Sequence, residues 1–244
     1  MRTIGIDSGS TTTKGVLMED GQLTKRCLIP TSARPGDSIQ EVYQRLSGEG
    51  ADRVVTTGYG RALLSQADKK VTEITCHGKG AAWLLEGARS VIDIGGQDCK
   101  VMLLGQGGRV TDFLMNDKCA AGTGRFVEMM MRIMEVPMEG LDAFVEGRSP
   151  IPVTSMCTVF AESEIISLLA EGADPGSIAM GMIHAICKRT AYFAKKINPI
   201  GPVFFTGGLA GCRCFCQALS QYLQLPVHTD PLSQYAGAIG AALL

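Results

Sequence analysis

The sequence predicts an α/β protein made of two related halves, each a mixed sheet flanked by helices. Three observations carry that prediction. Residues 6–17, IDSGSTTTKGVL, are echoed by residues 92–103, IDIGGQDCKVML. Ile6/Ile92, Asp7/Asp93, Gly9/Gly95, Lys14/Lys100 and Leu17/Leu103 match at one constant offset, and Gly21/Gly107 continues it. Three hairpin-like strands precede a helix–strand alternation, a pattern that argues for mixed sheets covered by helices. The chain has 244 residues, of which 45% are hydrophobic, enough for one large domain or two small ones with a real core.

Strand-like runs occur at 2–7, 13–19, 22–29, 53–57, 71–74, 90–94, 99–104, 109–115 and 202–206. Helical periodicity fits 38–47, 60–67, 78–88, 124–135, 158–170, 176–196, 209–224 and 234–243. Each copy of the echo is an apolar strand, an Asp, a Gly-bearing turn and a second strand, which reads as a hairpin with a tight turn. The middle, 116–200, is almost wholly helical. FFTGGLA at 204–210 reads as a strand ending in a Gly-Gly turn, where backbone can approach a flat ligand. The final YAGAIGAALL reads as a small-residue helix that packs closely across another. The expected division is 1–88 and 89–233, with the helix at 234–244 packing back on the first half.

Composition excludes several classes. A net charge of −1 leaves no basic footprint for nucleic acid. No apolar run reaches the roughly 18 residues of a membrane span. The opening MRTIGID reads as a strand and not as a signal peptide, so a cytoplasmic protein is expected. Nine cysteines, an odd number without a secretory signal, argue against a disulfide framework. Cys27, Cys99 and Cys187 fall inside strand or helix patterns and read as small buried hydrophobes. CRCFC at 212–216 lacks C-x-x-C spacing, and alternate cysteines (Cys212, Cys214, Cys216) diverge on a helix. Cys119 and Cys157 are different, because each stands just ahead of a helical pattern, the first followed by Ala-Ala-Gly-Thr-Gly.

The duplicated hairpin has a chemistry. Backbone N–H groups in such a turn can point at an anion. An Asp at the strand end can hold hydrated Mg²⁺, while Ser, Thr and Lys reach phosphate oxygens. Two copies in register point to two halves closing on one phosphate chain.

DSGSTTTK, DIGGQD and TGGLA, in that order, resemble the phosphate-1, phosphate-2 and adenosine motifs of the actin-like ATPases. TGYGR (57–61), ITCHGKGA (74–81), MNDKCAAGTGRF (115–126) and CTVFAESEIISL (157–168) resemble more closely the BadF/BcrA family. Those proteins are ATP-dependent activators of 2-hydroxyacyl-CoA dehydratases and subunits of benzoyl-CoA reductases. The resemblance spans nearly the whole chain. It implies an actin-like fold with ribonuclease H-like duplicated halves, ATP or ADP as ligand, and Mg²⁺. Asp7 would hold Mg²⁺ through water, Asp7 and Asp93 would be catalytic, and Gln97 or Asp98 would orient the attacking water. Ser10, Thr11, Thr12, Thr13, Lys14, Gly95, Gly96, Lys100, Gly207, Gly208 and Gln234 would contact the nucleotide. One departure is GGLAGCRCF, where a polar residue, often Asn, is expected near Cys212.

The same resemblance implies a homodimer sharing one [4Fe–4S] cluster, with Cys119 and Cys157 supplied by each chain. A cubane needs four thiolates, so a two-fold axis would complete the set. Helix N-termini would stabilise its negative charge. The implied partners are a 2-hydroxyacyl-CoA dehydratase or related double-cluster reductase, and ferredoxin or flavodoxin as electron donor. Glu162 and Glu164 read as ordinary first-turn helix acids, and His77 as structural. Two other readings stay open at this level, a small-molecule kinase of the same superfamily and a non-catalytic nucleotide-binding module.

Overall fold

A computed structural model describes residues 1–48, 50–155 and 157–244. The first sheet begins with the meander β1 (Arg2–Ser8), β2 (Thr12–Glu19) and β3 (Gln22–Pro30), all antiparallel. β4 (Arg53–Gly58) lies parallel to β1, and the short β5 (Lys69–Lys70) parallel to β4, giving the order β3-β2-β1-β4-β5. The second sheet repeats this plan. β6 (Ser90–Ile94), β7 (Cys99–Leu104) and β8 (Val110–Asn116) form the meander. β9 (Val203–Gly207) runs parallel to β6, and β10 (Val227–His228) parallel to β9. Its order, β8-β7-β6-β9-β10, matches the first strand for strand.

Both echoed segments are therefore hairpins. The turns close by Gly9 N to Thr12 O at 3.2 Å and Gly95 N to Asp98 O at 2.9 Å. Strand register sets Asp7 opposite Lys14 and Asp93 opposite Lys100. On the other flank Asp7 faces Thr57 and Asp93 faces Thr206.

The helices differ between the halves. α1 (Pro35–Leu46) presses Ile39, Val42 and Leu46 onto Ile4, Ile6, Leu17 and Ile29 of the first sheet. α2 (Glu73–Leu84) then leads to the second sheet. There the single helix is replaced by α3 (Gly124–Ile133), α4 (Leu141–Val145), α5 (Thr158–Ala170) and α6 (Pro175–Ala194). α6 starts cleanly: Pro175 occupies the first turn, and the Asp174 carboxylate accepts from Ser177 N at 2.8 Å. Ile178, Met182 and Ile186 on α6 join Phe126, Met130, Phe205 and Phe215 in the largest core. Each such side chain is worth about 1.5–3 kcal/mol on full burial.

α7 (Arg213–Leu223) covers the same core, and α8 (Ala236–Ala242) returns to the first sheet, packing Ala238, Ile239 and Ala242 against Val16 and Met18. α8 crosses α2 at backbone distance. A Cβ on Gly240 would lie 1.8 Å from Cys76 O, so only glycine fits. Among the described residues, no helix is long and apolar enough to cross a membrane.

Several sequence expectations fail or shift. The helix read over 78–88 is α2, which starts earlier and ends at Leu84. Residues 146–155, inside the stretch read as almost wholly helical, carry no helix. Residues 60–67 form successive turns in place of a helix, with Leu63 N bonding Gly60 O and Ala67 N bonding Leu64 O. Thr56 Oγ1 donates to Arg61 O at 2.7 Å, and that carbonyl is drawn out of helical register. The strand expected at 71–74 is not formed: Thr72 is the N-cap of α2, and Glu73 and Ile74 are its first residues. Thr72 caps the helix by accepting from Thr75 N, and this local bond overrides the β-branched run. The five-residue α4 and the two-residue β10 carry too little periodicity to be read in advance.

Candidate functional site

A cleft of about 550 Å³ opens where the two hairpin turns meet. It is lined by Asp7, Ser10, Thr11, Thr12 and Lys14 from the first hairpin, and by Asp93, Gly95, Gly96, Asp98 and Lys100 from the second. Gly207, Gly208 and Gln234 complete its far wall. Thr13 and Gln97 do not line it. Thr13 is fully buried and shares a 2.9 Å hydrogen bond with the Thr31 hydroxyl, because alternate strand residues face opposite sides. Gln97 projects into solvent at the tip of its turn. The turns touch directly: a Cβ on Gly96 would sit 1.9 Å from Thr11 Oγ1.

The two Asp–Lys pairs have different surroundings. Lys100 is buried and its ammonium meets three carboxylates, Asp98 at 2.8 Å, Asp93 at 3.1 Å and Glu73 at 3.3 Å. Burial acts against its charge, but these three neighbours hold its pKa well above the ordinary lysine value. Asp93 also accepts from the Thr206 hydroxyl at 2.7 Å. Burial pushes the Asp93 carboxyl upward, yet His77, Lys100 and Thr206 together hold it well below the usual carboxylate range. Asp98 is thus tied to Lys100.

The first copy lacks this network. Lys14 has no carboxylate partner among the described residues. Asp7 Oδ1 and the hydroxyls of Ser8 and Thr11 are buried without a hydrogen-bond partner among the described residues. No side-chain polar atom of the second hairpin is left so. Buried polar groups of this kind cost free energy unless a ligand satisfies them.

Three residues that sequence reasoning did not place in the cleft belong to it. Glu73, at the first turn of α2, lines the cleft and pairs with Lys100; burial raises its carboxyl pKa, Lys100 opposing. Its signal, a first-turn acid, was hidden by reading 71–74 as a strand. His77, one turn on, is buried between the halves, 3.9 Å from Asp7 Oδ2 and 3.6 Å from Asp93 Oδ1. Asp142 lines the cleft beside GGLAGCRCF, where a polar residue is expected near Cys212. From α4, its carboxylate accepts from Arg213 N and Cys214 N at 2.9 Å each. Burial pushes the Asp142 carboxyl up, but these N–H donors hold it below the ordinary value. Nothing in local sequence links residues 71 apart, but the paired strand ends Thr57-Gly58 and Thr206-Gly207 were a visible second echo.

Cys119 and Cys157 do not occupy equivalent positions. Cys157 is itself the N-cap of α5 and is exposed, beside Val159 and Phe160, which are 66% and 68% exposed. Cys119 is half-buried in the turn before α3, whose N-cap is Thr123. Arg189 Nη2 lies 3.4 Å from Cys119 Sγ. The mouth of α3 is closed by the second hairpin: Gly124 N donates to Gly95 O at 2.8 Å and Arg125 N to Gly96 O at 3.0 Å. Glu164 is more than a surface acid, since it accepts from Thr154 N, Thr154 Oγ1 and Ser155 N at 2.8–2.9 Å. Burial pushes the Glu164 carboxyl up, but these donors outweigh it and bring its pKa down to about 2.

The CRCFC thiols diverge. Cys212 stands at the N-cap position of α7 without a side-chain capping bond, Cys214 is buried, and Cys216 Sγ donates to Val227 O at 3.3 Å. Burial pushes the Cys212 thiol up to about 11. Cys99 and Cys187 are buried and Cys27 is half-buried.

The model of the BadF/BadG/BcrA/BcrD ATPase family matches residues 4–244. An uncharacterized protein, YjiL, of Escherichia coli is 51% identical over 99% of this chain and 96% of its own. The (R)-2-hydroxyglutaryl-CoA dehydratase activating ATPase of Acidaminococcus fermentans is 40% identical over 99% and 95%. The solved activator of the 2-hydroxyisocaproyl-CoA dehydratase from Clostridium difficile, with bound ADPNP, superposes with a TM-score of 0.93 at 38% identity. That likeness covers 100% of this chain and 93% of the other, and the fold is the expected actin-like one.

Proposed function

The chain belongs to the BadF/BadG/BcrA/BcrD ATPase family, and we propose that it is an ATP-driven activator that passes one electron at a time to a 2-hydroxyacyl-CoA dehydratase-type partner. The observation that carries this reading is the pair of hydrogen bonds from Gly124 and Arg125 to Gly95 and Gly96. Through them the nucleotide turn and the helix that follows Cys119 form one mechanical unit.

ATP would lie in the cleft with its phosphates between the two turns. Asp7 fits Mg²⁺ held through water, because its Oδ1 is buried without a protein donor among the described residues. Lys14 would neutralise phosphate charge, and Thr11 and Thr12 would donate to phosphate oxygens. For orienting the attacking water Glu73 joins Gln97 and Asp98 as a candidate: it lines the cleft, and its bond to Lys100, at 3.3 Å, is longer than that of Asp98, at 2.8 Å. The halves 1–88 and 89–233 would hinge on each other, with 234–244 riding on the first. A changed fit at Gly95–Gly96 would then move the mouth of α3 and, with it, the turn bearing Cys119.

Cys119 and Cys157 fit a [4Fe–4S] cluster shared across a homodimer. Each chain would supply two thiolates and a second chain the other two that a cubane needs. When bound, the cluster would supply a one-electron carrier at the dimer surface. Val159 and Phe160 offer apolar area beside Cys157 for that contact. A small low-potential donor such as ferredoxin or flavodoxin would provide the electron.

Anaerobic purification with iron, sulfide and mass analysis tests the reading. The expected result is about four irons per dimer, as one cubane requires, lost in Cys119→Ala and in Cys157→Ala, and unchanged when Cys212, Cys214 or Cys216 is replaced. A colourless, iron-free protein that phosphorylates a small molecule would overturn it in favour of a kinase.

A further inference from the structure

We infer that Arg189 is a positioning residue that sets the reduction potential at Cys119, an inference that rests on the cluster reading above. Arg189 projects from α6, and its neighbours Ile186, Cys187, Thr190 and Ala191 are buried in the core, so its backbone is fixed. Its guanidinium Nη2 reaches Cys119 Sγ at 3.4 Å. Its Cδ lies 3.8 Å from where a Cβ on Gly122 would stand, so the Cys119–Gly122 turn passes over the arginine stem. The Cys157 thiol, by contrast, has no hydrogen-bond partner among the described residues.

A guanidinium keeps its charge at any working pH and donates through a fixed fork. Hydrogen bonds to ligating sulfurs and nearby charge are what tune iron–sulfur potentials within one cluster type. One-electron reduction, with the electron taken from a small low-potential donor protein, adds one negative charge to the thiolate-bound group. A cation donating N–H to the sulfur stabilises that reduced form and raises the potential. Two-fold symmetry places one Arg189 beside the Cys119 of each chain, so its removal acts twice.

The experiment is an anaerobic redox titration followed by electron paramagnetic resonance on the intact dimer, comparing wild type, Arg189→Met, Arg189→Lys and Lys188→Met. Arg189→Met should shift the midpoint to more negative potential by about tenfold in the reduction equilibrium, or about 59 mV for one electron. Arg189→Lys keeps the charge and should fall between Arg189→Met and wild type. Lys188→Met, an exposed neighbour, should stay at the wild-type value. A cluster lost in Arg189→Met and restored in Arg189→Lys also supports the role. An unchanged midpoint in Arg189→Met, an equal shift in Lys188→Met, or cluster loss from both Arg189 variants with unaltered melting overturns it. A wild-type dimer without a Cys119-ligated cluster would sink the functional reading as well, whereas an unchanged midpoint sinks this inference alone.

Discussion

The two hairpins share a sequence pattern, a strand order and a register, yet one is unsatisfied and the other saturated. In the first, Asp7 and Lys14 face the cleft without each other's company, and Asp7 Oδ1 is an orphan. In the second, Lys100 is clasped by Asp93, Asp98 and Glu73, and Asp93 is further bonded by Thr206. Duplication thus supplied two equivalent cradles, and their surroundings separated the roles. On the function proposed above, the open copy would take the ligand and the closed copy would hold the halves' geometry.

The sharpest break in that symmetry is expected at the aspartates. Asp7→Ala should cut ATP hydrolysis by on the order of a hundredfold or more while the melting temperature stays level or rises, because an unsatisfied buried carboxylate is removed. Calorimetry beside a phosphate-release assay checks both; equal melting losses at Asp7 and Asp93 would erase the distinction.

Asp93→Ala should instead destabilise the fold. It leaves Lys100 buried with part of its compensation gone, at a cost of about 3 kcal/mol, or roughly 6–12 °C in a chain of this size. Its acid dependence has a definite sign. A carboxyl held below its ordinary value lends stability above the unfolded pKa and loses it as pH falls through the folded one. Wild type should therefore lose stability more steeply than Asp93→Ala on acidification below about pH 4, as read by denaturant titration at several pH values.

Glu73 sharpens the comparison from the other direction. Its carboxyl is raised by burial, so hydrolysis should fall on acidification with a midpoint above the ordinary glutamate value. Glu73→Gln should lower kcat by about a hundredfold and flatten that acid limb. A group with a raised folded pKa lends stability only as pH drops, so the same substitution should leave neutral-pH melting unchanged or slightly higher. A retained acid limb would return the water-orienting role to another residue.

The smallest effect concerns the cysteines, a second pair made unlike by context. Glu164→Ala releases the Thr154 and Ser155 amides ahead of Cys157. The carboxylate is half-buried and bonded only to its own loop, so the global cost should be about 1 kcal/mol, but amide exchange at Thr154 and Ser155 should rise severalfold. Unchanged exchange there would show the loop to be held by other contacts.

Both hairpins were legible in the sequence, because an apolar strand, a Gly-bearing turn and a second strand are encoded within a dozen residues. α5 and α6 were legible for the same reason, through long runs at helical period. Local reading failed where a short bond redirected the chain, as when Thr72 capped α2 and when Thr56 captured the Arg61 carbonyl. Which copy of the motif would be saturated was not legible at all. That depends on Glu73 and Thr206, brought to Lys100 and Asp93 from a helix and a distant strand. The link between Arg189 and Cys119, 70 residues apart, is of the same kind. Periodicity and turn chemistry act over a few residues and determine which elements form. Charge satisfaction and burial depend on what packs alongside, and only the assembled sheets and helices decide that.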